Sequence, residues 1–79
     1  MELEMGEIIT LDSNGKDYIV MKTIKNENKD YYYLMTKQKP AEVLLVKMQY
    51  ENGEPILTTI TDENEFRRIM EKTHQVTKS

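Results

Sequence analysis

Three consecutive tyrosines, Tyr31, Tyr32 and Tyr33, stand between Lys29 and the basic pair Lys37 and Lys39. Aromatic rings beside lysines suit single-stranded RNA or DNA, because bases stack on the rings while ammonium groups meet phosphates. Alternation along a strand sends at most two of the three rings to one face. Tyr is also a good strand former for structural reasons alone. The plainer expectation places Tyr31 and Tyr33 in or near the core and leaves only Tyr32 exposed. The net charge of −3 favours it, since a mildly acidic chain exerts no general pull on nucleic acid or anionic membrane.

The other candidate chemistry is weaker. Asp12-Ser13-Asn14-Gly15 with Asp17 loosely resembles a calcium loop, but the ligand spacing is wrong and no Glu follows at the required distance; a β-turn needs the same residues. His74 is the single histidine and there is no Cys, so paired-His sites, thiolate metal sites and disulfides are all excluded. Asp62, Glu63 and Glu65 could form a carboxylate site, yet a capped helix start requires acids there too. Arg67 and Arg68 fit a solvated helix face. Gly6, Gly15 and Gly53 are isolated, so no phosphate-cradling loop exists. Met21, Met35, Met48 and Met70 suit a core better than an adaptable binding surface. Together these point to a protein that is not an enzyme and carries no cofactor or metal.

The elements that must position these residues fit one domain of 79 residues. The expected layout is a flexible lead-in over 1–6, an α+β domain over 7–73 and a frayed tail over 74–79. Charged residues make up 32% and are spread along the chain, as in a folded domain. No apolar run approaches the roughly 20 residues of a membrane span. The start lacks the basic and apolar regions of a signal peptide, so the expected location is the cytoplasm.

Glu7–Leu11 is predicted as a first strand, stopped by Asn14-Gly15, a dipeptide that tolerates positive φ at both positions. Lys16–Lys25 forms a second strand with apolar residues on both faces, and a bulge near Met21 or Lys22 would change which of them point inward. Asn26–Asp30 is a polar turn cluster, and Asp30–Thr36 the tyrosine strand. Lys37–Pro40 is a loop. Glu42–Tyr50 is the strongest apolar run, with Leu44, Val46 and Met48 expected to face the core. Asn52-Gly53 marks another hairpin, leading to a strand over Pro55–Ile60. From Thr61 the period changes: Asp62 or Thr61 caps a helix, with Glu65 three residues after Asp62 completing a capping-box pattern, and Phe66, Ile69, Met70 and Thr73 form a helical stripe, with acids in the first turn and bases later. The predicted fold is an antiparallel meander of about five strands with one C-terminal helix laid on one face.

The segments "EIITLDSNGK" (7–16), "YIVMKTIKNENKDYYYLM" (18–35), "AEVLLVKMQYENGEPILTTI" (41–60) and "TDENEFRRIM" (61–70) resemble the YrzB-like family of small bacterial proteins of unknown function. That likeness implies the same strand and helix order. It implies no activity and no site, and this chain departs from such proteins in its basic residues Lys37, Lys39, Arg67 and Arg68. The leading functional expectation is a protein-interaction module or homodimer that uses Tyr32, Leu34, Val43 and Leu45, with Lys37 and Lys39 beside them. A single-stranded nucleic-acid binder built on Tyr31–Tyr33 and Lys37/Lys39 is the alternative. An inhibitor of a host protein, carried by a phage or mobile element, is the third.

Overall fold

The computed structural model describes residues 3–77, and side chains over 3–72. The elements are β1 (Ile8–Thr10), β2 (Asp17–Asn26), β3 (Lys29–Met35), β4 (Val43–Glu51), β5 (Glu54–Thr59) and α1 (Glu63–Thr77). The strands form one antiparallel sheet in the order β1-β2-β3-β4-β5, curled into a half-barrel with the helix at its C-terminal end. The α+β meander expected from the sequence is the observed fold.

Turn chemistry sets this order. Asn52 and Gly53 have φ of 51° and 81°, the left-handed pair that a two-residue hairpin turn with matching twist requires. Glu27 and Asn28 adopt φ of 53° and 65°, so the expected loop over 26–30 shrinks to two residues. Asn26 and Lys29 pair across it, and Asp30 joins β3, where it faces Lys25 at 3.8 Å. Fully extended pairing outweighs the modest strain of a left-handed glutamate.

The expected bulge is present. Val20 pairs with Leu34 and Lys22 with Tyr33, which leaves Met21 as the extra residue. Before it, Tyr18 and Val20 point inside the curl. After it the alternation shifts by one, and Ile24 turns outward to the face that carries the helix.

Both faces of the sheet are therefore buried in part. Inside the curl, Tyr18, Val20, Tyr32, Leu34, Val46 and Met48 form one cluster, closed by Leu3 and Leu11. Outside, Tyr31, Leu45, Ile60 and Ile69 form a second cluster under α1. Leu44, Val46 and Met48 do face a core, but Leu45 on the opposite face is equally buried, at 1% exposure. A single core face was too simple, because a curled sheet encloses one side by itself and the helix seals part of the other.

Two further expectations change. The lead-in is not loose where it is described: Leu3 is buried, its N–H donates to the Tyr32 hydroxyl at 3.4 Å, and the Gly6 N–H donates to the Val20 carbonyl at 2.8 Å. One leucine plugging the end of a curl leaves no periodic signal in a sequence. Met1 and Glu2 lie outside the described residues. In α1, Asp62 rather than Thr61 is the cap, its Oδ1 accepting from the Asn64 N–H at 2.9 Å. Of the predicted stripe only Ile69 is buried; Met70 is half-buried and Phe66 is exposed. The helix continues to Thr77, through much of the tail expected to fray, while the side chains of Thr73 and His74 and all of residues 78–79 fall outside the described residues.

Candidate interaction surface

The helix covers only part of the outer sheet face. Beyond Leu45, one row of side chains crosses four strands: Ile8 sits opposite Ile19, Ile19 opposite Met35, and Met35 opposite Val43. Directly opposed residues point to the same side of a sheet, so the four form one apolar stripe. Its ends are open, with Ile8 52% and Val43 47% exposed, while Ile19 and Met35 are half-buried. Scattered exposed apolar residues mean little; the contiguity of this row across four strands is what singles it out as a candidate surface.

The rim carries charge of both signs, with Asp17 beside Lys16 and Lys37 in one groove and Glu42 paired with Lys16. Thr36 and Glu42 clamp the loop over 37–41: the Thr36 N–H donates to the Glu42 carbonyl and the Glu42 N–H donates to the Thr36 hydroxyl, both at 2.9 Å. That clamp fixes where Lys37 and Lys39 leave the sheet and where Val43 begins β4. Lys37 and Gln38 line a shallow groove of about 380 Å³ together with Ile8, Lys16 and Ile19. Lys16 bonds Glu42 at 2.7 Å, and this hydrogen bond and charge raise its pKa above the ordinary lysine value. Lys37 and Lys39 are exposed and have no ion-pair partner among the described residues.

The six residues expected to share a surface do not share one. Tyr32 and Leu34 lie opposite Val46 and Leu44 and point inside the curl, whereas Val43 and Leu45 belong to the outer face. Tyr32, Leu34 and Leu45 are buried within the chain, at 2%, 0% and 1% exposure. Of the six, Val43, Lys37 and Lys39 remain accessible, and Val43 is part of the stripe. Ile8, Ile19 and Met35 were missed. The nucleic-acid expectation loses its stacking platform, since Tyr31 and Tyr32 are both buried and Tyr33 is half-buried beside Leu45. The placement of Tyr32 as the exposed ring is also corrected: its side chain is inside the curl because that face encloses the larger core.

A second polar cluster lies under the helix. The Tyr31 hydroxyl donates to Glu65 Oε2 at 2.9 Å, and Lys47 Nζ donates to the same oxygen at 3.3 Å. Glu65 therefore does not complete a capping box; it ties α1 to β3 and β4. Burial and then the Glu65 carboxylate push the Tyr31 phenol up to about 12. The hydrogen bond from Tyr31, helped by Lys47, holds the Glu65 carboxyl below the usual value. A phenol so reluctant to ionise, bonded to a carboxylate already satisfied twice, suits a lock better than an acid–base pair.

The sign of the pH effect follows. Glu65 ionises more readily folded than unfolded, so its contribution is present above the ordinary value of 4.5 and is lost as pH falls through the lower folded value. Tyr31 contributes below its ordinary 10.0 and loses that contribution as pH rises through about 12. In thermal unfolding from about pH 7 down to about pH 3, the wild type is expected to lose more stability than Glu65→Gln. Parallel pH profiles for the two proteins would contradict the lock.

Among the described residues, no group of three or more His, Cys, Asp or Glu side chains could hold a metal ion, and no helix is long and apolar enough to cross a membrane. The fold and surface thus define a small α+β half-barrel with an open apolar stripe and a charged rim that carries Lys37 and Lys39, unpaired among the described residues. The chain belongs to the family described as "Protein of unknown function (DUF1292)", which matches residues 1–78. No curated protein and no solved structure matches it.

Proposed function

We propose that the protein is a non-enzymatic interaction module that grips a protein partner across the Ile8–Ile19–Met35–Val43 stripe. The observation behind this is the exposure of Ile8 and Val43 at both ends of a contiguous apolar row. Lys37 and Lys39, without ion-pair partners among the described residues, favour a partner with acidic residues beside its apolar anchors. Finishing the burial of Ile8 and Val43 is worth about 1 kcal/mol each. A micromolar complex needs roughly −8 kcal/mol, so the stripe is an anchor and contacts around it must supply the rest. The absence of Cys agrees with work in the reducing cytoplasm. The resemblance to the YrzB-like proteins belongs to the same reading and adds no activity to it.

The test compares affinity capture by the wild type with capture by Val43→Glu and Ile8→Glu. Both sites are half exposed, so each variant is expected to stay within about 0.5 kcal/mol of wild-type stability. A protein retained by the wild type and lost by both variants is the predicted outcome. Identical capture by all three would remove the stripe from consideration.

A further inference from the structure

The two edges of the half-barrel are built differently. β1 has three residues, is preceded by Glu7, and carries Thr10 hydrogen-bonded to Asp17 at 2.5 Å; short, charge-flanked edges resist pairing with other chains. β5 has six residues, and the run Ile56-Leu57-Thr58-Thr59-Ile60-Thr61 contains no charge and no Pro. Such a run on an open edge is a template for strand addition.

The register shows which backbone groups of β5 are free. The hairpin closes on the pair Glu51–Glu54, and in an antiparallel ladder only alternate pairs exchange hydrogen bonds. Ile60, which continues the series through Ile56 and Thr58, donates its N–H to the Leu45 carbonyl at 2.9 Å. The intervening residues Pro55, Leu57 and Thr59 therefore turn their backbone outward. Pro55 occupies an outward position, where its missing donor breaks no ladder bond.

From this pattern we infer that β5 pairs antiparallel with β5 of a second copy, about a two-fold axis at Leu57. Leu57 then exchanges two bonds with its counterpart. The Thr59 N–H of each copy meets the Pro55 carbonyl of the other, so Pro55 is needed only as an acceptor. Ile56 falls opposite Thr58 of the second copy, an uncharged pair of β-formers, and Glu54 meets no like charge. Beside the edge an open pocket of about 470 Å³ lies between Met48 and Pro55–Leu57 on one side and Thr10–Ser13 on the other, and the incoming Leu57 would enter it. An edge contact alone falls short of the roughly 1,200 Å² of a stable interface, so the dimer is weak and concentration-dependent. This surface is separate from the stripe, and the two can fail independently.

The experiment is light scattering of the full chain at about 20 µM and about 1 mM, with amide exchange followed by NMR. The mass is expected to rise from 9.4 kDa toward twice that value. Leu57 and Thr59 amides should exchange roughly tenfold more slowly at the higher concentration. Thr59→Pro removes only an outward donor, and Ile56→Lys adds an edge charge without touching the backbone. Both should remain monomeric with an unchanged circular dichroism spectrum; if Thr59→Pro misfolds, Ile56→Lys carries the test. A wild type that stays monomeric at the higher concentration overturns the inference. So does a dimer that survives in the folded variants, one that Val43→Glu breaks while they do not, or exchange at Leu57 and Thr59 that ignores concentration.

Discussion

Leu34→Ala is expected to lower stability by about 3 kcal/mol. Leu34 is fully buried, at 0% exposure, between Val20 on β2 and Leu44 on β4, in the cluster the curl encloses. The sheet surrounds this position, so the neighbours cannot collapse into the space left by the lost side chain. A domain of this length has roughly 4–12 kcal/mol in total, and the loss takes a large share of it. The melting temperature should fall by roughly 12–24 °C. Leu34→Met, which nearly keeps the volume, should cost less than about 1.5 kcal/mol. Thermal unfolding followed by circular dichroism decides; an alanine variant melting within about 4 °C of the wild type would mean that the enclosed cluster is not the main core.

Ile69→Asp should act on the other face and with a different signature. Ile69 is 1% exposed and is the one described helix residue in the outer cluster, with Tyr31, Leu45 and Ile60. A carboxylate there must lose its water or the helix must leave, and leaving is the less costly route. A free 15-residue helix is marginal in water, so undocking means unfolding of α1. The inner cluster contains no helix residue, so the sheet should persist. The expected result is a helical signal at 222 nm reduced by more than about half, with slow amide exchange retained in β2, β3 and β4. Complete unfolding would show that the two clusters form one cooperative unit. An unchanged helical signal would show that Glu65 and its partners suffice to hold α1.

The strands, their order and the helix, to within one residue of its start, were legible because each rests on a local signal. Asn52-Gly53 dictates a turn from two residues, and alternation with Val, Leu and Ile marks β4 without reference to anything distant. The surface was not legible for the opposite reason. Whether Leu45 or Val43 is exposed depends on how far the helix reaches across the sheet, and both lie on one face two residues apart. Tyr32 and Leu34 were grouped with them because a sequence shows alternation within a strand but not which phase of one strand faces the same way as the next. That requires the register between β3 and β4, closed here by the Thr36–Glu42 clamp. Together with the β1–β2 and β2–β3 registers it would have brought Ile8, Ile19, Met35 and Val43 into line. Glu65 was read correctly as belonging to the first helical turn, but its partners Tyr31 and Lys47 are long-range contacts that no spacing announces.

Met21 has a consequence for reading other members of the family. A strand in which alternate residues face opposite sides is a two-phase message, and the extra residue at Met21 is where the phase changes. Upstream, Tyr18 and Val20 are spelled in one frame; downstream, Thr23 and Lys25 occupy the inward frame and Lys22 and Ile24 the outward one. A relative with one residue fewer between Val20 and Lys22 would keep its downstream residues on the same faces, because Val20 and Lys22 already pair with the adjacent Leu34 and Tyr33, and its strand would read as one unbroken alternation. An alignment that places a gap a few positions away would assign every intervening side chain to the wrong side of the sheet, with no mismatch large enough to reveal the error.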